Sequence, residues 1–188
     1  MQKIEKKLKK GEVLAFKTDT VWGFGVDPCD DCAIDNLYEI KKRDTKKPLI
    51  LMSSDIKYLS KYIKSIPLYA QKLINKYLPG ALTLIFEKSD ILNPKVTSYS
   101  NTVGIRIPDS KDYFNLIDSL ENKVLATTSC NLSTQPPVRN YKEACEKFSS
   151  CATIIIPIDD TMNNNTPSTV ILCEEEGYKV LRTGAIKL

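Results

Sequence analysis

Histidine is absent from all 188 residues. That absence removes serine and cysteine nucleophiles activated by imidazole, histidine general bases and mixed Cys/His zinc sites. Any chemistry has to rest on Lys, Arg, carboxylates, hydroxyls, backbone dipoles and a bound metal ion. Glycine is scarce, at 7 residues, and neither the phosphate-loop nor the dinucleotide spacing occurs. No apolar run approaches the ~20 residues of a membrane span. Met1 to Lys10 is Lys-rich but lacks the apolar segment of a signal peptide. A cytoplasmic protein with no membrane attachment is therefore expected, and Ile4 and Leu8 suggest a short surface helix. No Pro/Gly/Ser linker and no internal repeat divides the chain, so a single domain over residues 1–188 is expected.

Cysteine is present, but not in a useful pattern for metal. Cys29 and Cys32 form a lone C-x-x-C, while Cys130, Cys145, Cys151 and Cys173 supply no second pair. The expectation is reduced, mostly buried thiols and no protein-ligated metal.

The net charge of +4, from 27 basic and 23 acidic residues, is mild. Its distribution is not. Lys41-Lys-Arg-Asp-Thr-Lys-Lys47 places five cations within seven residues. The cluster follows an amphipathic helix over residues 30–41, with Ala33, Ile34, Leu37 and Ile40 at helical spacing and Asp30 or Asp31 to cap it. Pro48 then opens an apolar strand, Pro-Leu-Ile-Leu-Met52. Cations at a helix end complement the macrodipole. Surplus charge between two packed elements also suits a pocket for an anion. Lys41 and Arg43 project the same way if the chain is extended there.

Other polar groups stand where strands end. Glu12 to Phe16 reads as a strand that runs into a polar, glycine-punctuated loop, Lys17-Thr-Asp-Thr-Val-Trp-Gly-Phe-Gly25, with Thr18 and Thr20 presenting hydroxyls. Pro67 to Tyr77 reads as a helix with Leu68, Leu73 and Tyr77 toward the core, stopped by Leu78-Pro-Gly80. Ala81 to Phe86 and Thr102 to Pro108 read as strands. Arg106 lies in an otherwise apolar run and needs either an ion-pair partner or a cleft. Asp112 to Leu120 is a helix, and Lys123 to Thr127 a strand that empties into Ser129-x-Asn131, a hydroxyl and an amide suited to orienting a polar ligand. Tyr141 to Phe148 is helical. Thr153 to Ile158, Ser168 to Cys173 and Tyr178 to Leu181 are strands, and Asp159 to Thr166 is a polar loop. The irregular alternation, strand-rich toward the end, predicts an α/β fold with a mixed parallel and antiparallel sheet.

Taken in order, these segments resemble the YrdC-type domain of threonylcarbamoyl-AMP synthases. The stretches that carry the resemblance are Lys17 to Gly25, Lys41-x-Arg43 with Lys47-Pro-Leu, and Leu78-Pro-Gly-Ala-Leu-Thr83. Downstream they are Val103-Gly-Ile-Arg-Ile-Pro108, Ser129-x-Asn131, Pro167-Ser-Thr-Val170 and Leu181-Arg-Thr-Gly-Ala-Ile186. The resemblance implies a twisted mixed sheet with flanking helices and a basic concave cleft. It implies that L-threonine, bicarbonate or CO2, and ATP yield threonylcarbamoyl-AMP and pyrophosphate, with Mg2+ bridging the phosphates. That is the first step of tRNA threonylcarbamoyladenosine modification, completed by a separate transferase complex, and it leaves room for direct tRNA contact. By resemblance, Thr20, Arg106, Thr127 and Ser168 hold threonine, while Arg43, Lys47, Thr102, Ser129, Asn131 and Arg182 hold ATP. Lys41 with Arg43, Ser129 and Asn131 forms the family's K-x-R…S-x-N set, which the resemblance makes the catalytic residues. Trp22 stands for the usual tyrosine, Leu78 for a frequent tryptophan, Met52 and Ser110 for frequent histidines, and Thr134 for a common glycine. An RNA-binding module that uses the basic cleft without nucleotide chemistry, and a carbamoyl-transfer domain, are the alternative readings.

Overall fold

The structure is a computed structural model that describes residues 7–161 and 166–188. Ile4, and so the expected helix at the amino terminus, lies outside these residues, as does part of the polar loop 159–166. Among the described residues, nine strands form one sheet in the order β7-β1-β2-β6-β3-β5-β4-β8-β9. In chain order the strands are β1 Leu14–Phe16, β2 Gly23–Val26, β3 Ile50–Met52, β4 Leu82–Glu87, β5 Thr102–Arg106, β6 Leu125–Ser129, β7 Thr153–Ile154, β8 Thr169–Cys173 and β9 Tyr178–Arg182. The pairs β1/β7, β3/β5 and β4/β8 are parallel and the other neighbours antiparallel, so the sheet is mixed as the sequence predicts.

Helices α1 Asp31–Lys41, α2 Ile56–Leu59, α3 Leu68–Tyr77, α4 Lys111–Ser119 and α5 Tyr141–Phe148 flank the sheet. Asp30 caps α1, its carboxylate accepting from the Cys32 and Ala33 amides. Side chains alternate across a strand, and the core divides accordingly. Ala15, Leu51, Leu84, Ile105 and Ala126 join the larger cluster with residues of α1, α2, α3 and α5. Leu14, Phe16, Met52 and Leu125 join the smaller one with Tyr113, Leu116 and Ile117 of α4. One face of the sheet thus carries α1, α2, α3 and α5, whereas the other carries α4 over part of its width, and β9 is exposed along its length.

Several expectations need correction. Gly23–Val26 is a buried strand rather than loop. Its glycines read as turn residues in sequence, but a Cβ on Gly25 would lie 2.8 Å from the Phe16 ring. They make room for an aromatic side chain on β1. Leu68 is 87% exposed, and Ala70 and Ile74 are the buried residues of α3; Leu73 and Tyr77 do pack against the core. The strand expected to reach Ile158 ends at Ile154, and Ile156 and Ile158 are exposed. After the Ile155 amide bonds the Ala15 carbonyl, the chain leaves the β1 edge to cross toward β8. The thiols are free, yet only Cys130 is buried, while Cys29, Cys32 and Cys151 are exposed. No helix among the described residues is long and apolar enough to cross a membrane.

Candidate active site

The uncovered part of the second sheet face is a cavity of about 370 Å³, within the size range of small-molecule sites. Its floor follows the two-residue period: Ile50 and Met52 of β3, Thr83 and Ile85 of β4, Arg106 of β5, and Thr127 and Ser129 of β6. Gly104, two residues before Arg106, adds no side chain there. Thr18, Thr20, Pro167, Ser168 and Arg182 complete walls that include Arg43, Arg106 and Arg182 but no carboxylate. The expected basic concave cleft is therefore present.

Arg106 is 2% exposed and held from three sides. Its Nε donates to the Gly80 carbonyl at 3.0 Å, Nη1 to Thr20 Oγ1 at 2.7 Å, and Nη2 to Asp19 Oδ1 at 2.5 Å. Burial pushes the guanidinium pKa down, and the Asp19 carboxylate opposes that shift. The residue is both an ion-pair partner and a cavity wall. Thr18 Oγ1 donates to the Val21 carbonyl at 2.6 Å, and lies 3.2 Å from Thr20 Oγ1. These bonds fix the turn that carries Thr20.

A second group centres on Lys41, which ends α1 and is 1% exposed. Lys42 adopts a left-handed conformation with φ of 48°. The chain is therefore not extended between Lys41 and Arg43, and their side chains diverge. Lys41 Nζ donates to the carbonyls of Ser129 and Asn131 and to Asn131 Oδ1, the last two at 2.8 and 2.7 Å. Burial, with the nearby Arg43 charge, pushes its pKa down to about 7. Lys41 does not line the cavity; it clamps from behind the loop whose Ser129 and Asn131 do. Ser129 Oγ in turn donates to Asn131 Oδ1 at 2.6 Å. Arg43 donates to the carbonyls of Lys47 and Pro48 at 3.2 and 3.1 Å while its guanidinium borders the cavity.

A third group lies at the end of β9. Arg182 donates to the Ser168 carbonyl through Nε at 3.1 Å and Nη2 at 2.8 Å, and Ser168 Oγ sits 2.8 Å from Thr83 Oγ1. Burial lowers the Arg182 pKa as well.

Of the residues named from sequence, Thr20, Arg43, Arg106, Thr127, Ser129, Asn131, Ser168 and Arg182 meet at this cavity. Lys47 and Thr102 are outside its lining; Lys47 is exposed, and the Thr102 hydroxyl lies 3.0 Å from Ser100 Oγ. Sequence reasoning passed over Asp19 and Thr83. The signal for Thr83 was its period-two relation to Ile85; for Asp19 it was the hydroxyl on either side. Met52 presents a thioether to the cavity, and Ser110 caps α4 by accepting from the Tyr113 amide. Thr134 has φ of 73°, in the left-handed region that glycine adopts without strain. Trp22 Nε1 and the Tyr113 hydroxyl are buried without a hydrogen-bond partner.

Comparison with known proteins identifies the family. The profile of the Sua5/yciO/yrdC family, described as telomere recombination, matches residues 6–184. The chain is 31% identical over 181 residues to the threonylcarbamoyl-AMP synthase of Pyrococcus abyssi, covering 96% of this chain and 53% of that one. It is 30% identical over 185 residues to the threonylcarbamoyl-AMP synthase of Vibrio campbellii, covering 97% of this chain and 98% of that one. The crystal structure of P. abyssi Sua5 complexed with L-threonine superposes with a TM-score of 0.85 at 31% identity, covering 93% of this chain and 51% of that one. E. coli YciO, at 23% identity and a TM-score of 0.81, shares the fold. The chain spans about half the length of its Pyrococcus and Bacillus relatives. With a profile match over nearly its whole length and the same fold in solved relatives, the chain belongs to the Sua5/yciO/yrdC family.

Proposed function

We propose that the cavity makes threonylcarbamoyl-AMP from L-threonine, bicarbonate or CO2, and ATP, with release of pyrophosphate. This is a nucleotidyltransferase reaction and the first step of tRNA threonylcarbamoyladenosine formation, whose product passes to a separate transferase complex. The observation that carries the reading is the meeting of three hydrogen-bonded groups around one cavity: Arg106 with Thr20, Ser129 with Asn131, and Arg182 with Ser168. A mixed set of hydroxyls, an amide and guanidiniums suits an amino acid beside a nucleotide. A surface for nucleic acid alone needs mainly cations that neutralise phosphates.

The chemistry asks for no enzyme nucleophile, which accords with a chain without histidine. The neutral threonine amine adds to CO2 and loses a proton to solvent, or attacks bicarbonate with loss of water, to give a carbamate. A carbamate oxygen then attacks the α-phosphorus, and the bond to the pyrophosphate oxygen breaks. Catalysis comes from positioning and from charge placed where it develops. Arg106 receives the threonine carboxylate, with Thr20, Thr127 and Ser168 as hydroxyl partners. Arg43, Ser129, Asn131 and Arg182 face the nucleotide, and Lys41 acts through the loop it clamps. Among the described residues no cluster of Cys, Asp or Glu is built to cage a metal. The residues fit a magnesium ion that enters with ATP as part of the substrate, held mainly by phosphate oxygens and water.

The test is pyrophosphate release by purified protein with Mg·ATP and bicarbonate, with and without L-threonine, and with L-serine as control. Threonine-dependent release supports the reading. Absence of release together with absence of ATP binding sinks it and favours the nucleic-acid module.

A further inference from the structure

Asp19 is outside the cavity lining, yet it makes the shortest polar contact of Arg106, 2.5 Å from Nη2. Both side chains are largely withdrawn from water, at 3% exposure for Arg106 and 15% for Asp19. A guanidinium carries five N–H donors. The bonds to Gly80, Thr20 and Asp19 use one donor each on Nε, Nη1 and Nη2. One N–H on each terminal nitrogen is left for an incoming carboxylate, while Asp19 stays in place.

We propose that Asp19 is a positioning residue that tunes Arg106 for an amino-acid carboxylate and against inorganic phosphate and pyrophosphate. The inference rests on the threonine-binding role of Arg106 given above. Two effects combine. The carboxylate fixes the plane of the guanidinium, so its two remaining donors are held in one orientation before substrate arrives. It also cancels the arginine charge inside a cavity that already holds the cations Arg43 and Arg182 and no carboxylate of its own. An uncompensated cation there would attract any multivalent anion, including the phosphates of the second substrate and the pyrophosphate product. The neutralised pair gives up general anion attraction and retains a directional fork. Selectivity between the threonine carboxylate and the phosphates of ATP then comes from a residue that touches neither.

The experiment is calorimetric titration of L-threonine into wild type, Asp19→Asn and Asp19→Glu, each with and without inorganic phosphate. Asp19→Asn keeps the shape and removes the charge. Asp19→Glu keeps the charge and displaces the carboxylate, and it serves if the amide variant fails to fold. Threonine affinity is expected to fall roughly ten- to a hundred-fold in either variant, the size of a lost charged hydrogen bond. Phosphate is expected to compete with threonine in Asp19→Asn and not in wild type. A merely structural role for Asp19 would lower stability without creating phosphate competition. Wild-type threonine binding with unchanged affinity in the folded variants, and no phosphate competition, overturns the inference alone. No threonine binding by wild type overturns the functional reading along with it.

Discussion

Replacing Lys41 by Met tests whether the clamp behind the cavity is structural charge or hydrogen bonding. Methionine keeps most of the apolar stem, which passes near the Phe24 ring, with Nζ 5.6 Å from its centroid. What is lost is a nitrogen that serves two carbonyls and one amide oxygen at a site 1% exposed. The Asn131 amide oxygen still accepts from Ser129 Oγ and the Ser129 carbonyl from the Asn131 amide, so one acceptor is stranded outright, at about 1–3 kcal/mol, and two are weakened, while removing a desolvated charge offsets part of the sum. A net loss of about 1–3 kcal/mol near neutral pH is expected, or roughly 2–12 °C in melting temperature for a chain of this size. The pH dependence is the sharper readout. Burial holds the folded Lys41 pKa near 7, below its ordinary 10.5. Between those values the unfolded chain binds the extra proton, so wild-type stability rises with pH. The variant lacks that titration. Urea unfolding of both proteins should therefore show the gap widening by about 2 kcal/mol from about pH 7 to about pH 9. A gap that is the same at both values would mean that the three oxygens keep the ammonium charged in the fold. A gap under about 1 kcal/mol at both would remove the clamp altogether.

Five further outcomes are expected. Arg43→Ala should abolish threonine-dependent pyrophosphate release with little change in melting temperature. Arg106→Ala should abolish release and also cost about 3–5 kcal/mol in urea unfolding, because it strands the Asp19 carboxylate. Gly184→Ala should lower stability and activity together, since a Cβ would come 2.3 Å from the Pro167 carbonyl oxygen and push β9, with Arg182, off Ser168; unchanged kinetics would refute the contact. Thr134→Gly should raise stability by about 1 kcal/mol by relieving a β-branched residue from a left-handed backbone; differential scanning calorimetry decides this. Trp22→Phe should be tolerated to within about 1 kcal/mol in urea unfolding, because the lost ring volume is offset by removal of a buried N–H that has no partner.

Much of the fold was readable in the chain because burial leaves a periodic trace. Residues 30–41 announced their helix through Ala33, Ile34, Leu37 and Ile40 and through Asp30 or Asp31 as a cap; Asp30 is the cap, the first three apolar residues are buried and Ile40 is partly so. The order of helices and strands implied a mixed sheet, and the polar groups at strand ends marked where a ligand could sit. The motifs also named eight of the residues that line the cavity. What failed was local inference about residues whose role is set by distant partners. Gly23 and Gly25 look like turn formers until the Phe16 ring is placed beside them on the neighbouring strand. Lys41 and Arg43 look like a pair of cations on one side until the left-handed Lys42 turns them apart, one into the interior and one to the cavity wall.

The sequence by itself determined the set of chemical groups: no imidazole, several guanidiniums, and hydroxyls at strand ends. The missing imidazole removes histidine-activated nucleophiles and histidine general bases. Only the tertiary structure decided which charges are compensated and which are free for a ligand. Asp19 and Arg106 are separated by 87 residues, yet they meet at 2.5 Å. Lys41 reaches Asn131 across 90. Such pairings depend on strand order and register, which no local pattern encodes, because a side chain's electrostatic environment is set by whatever the folded sheet brings within a few ångströms of it.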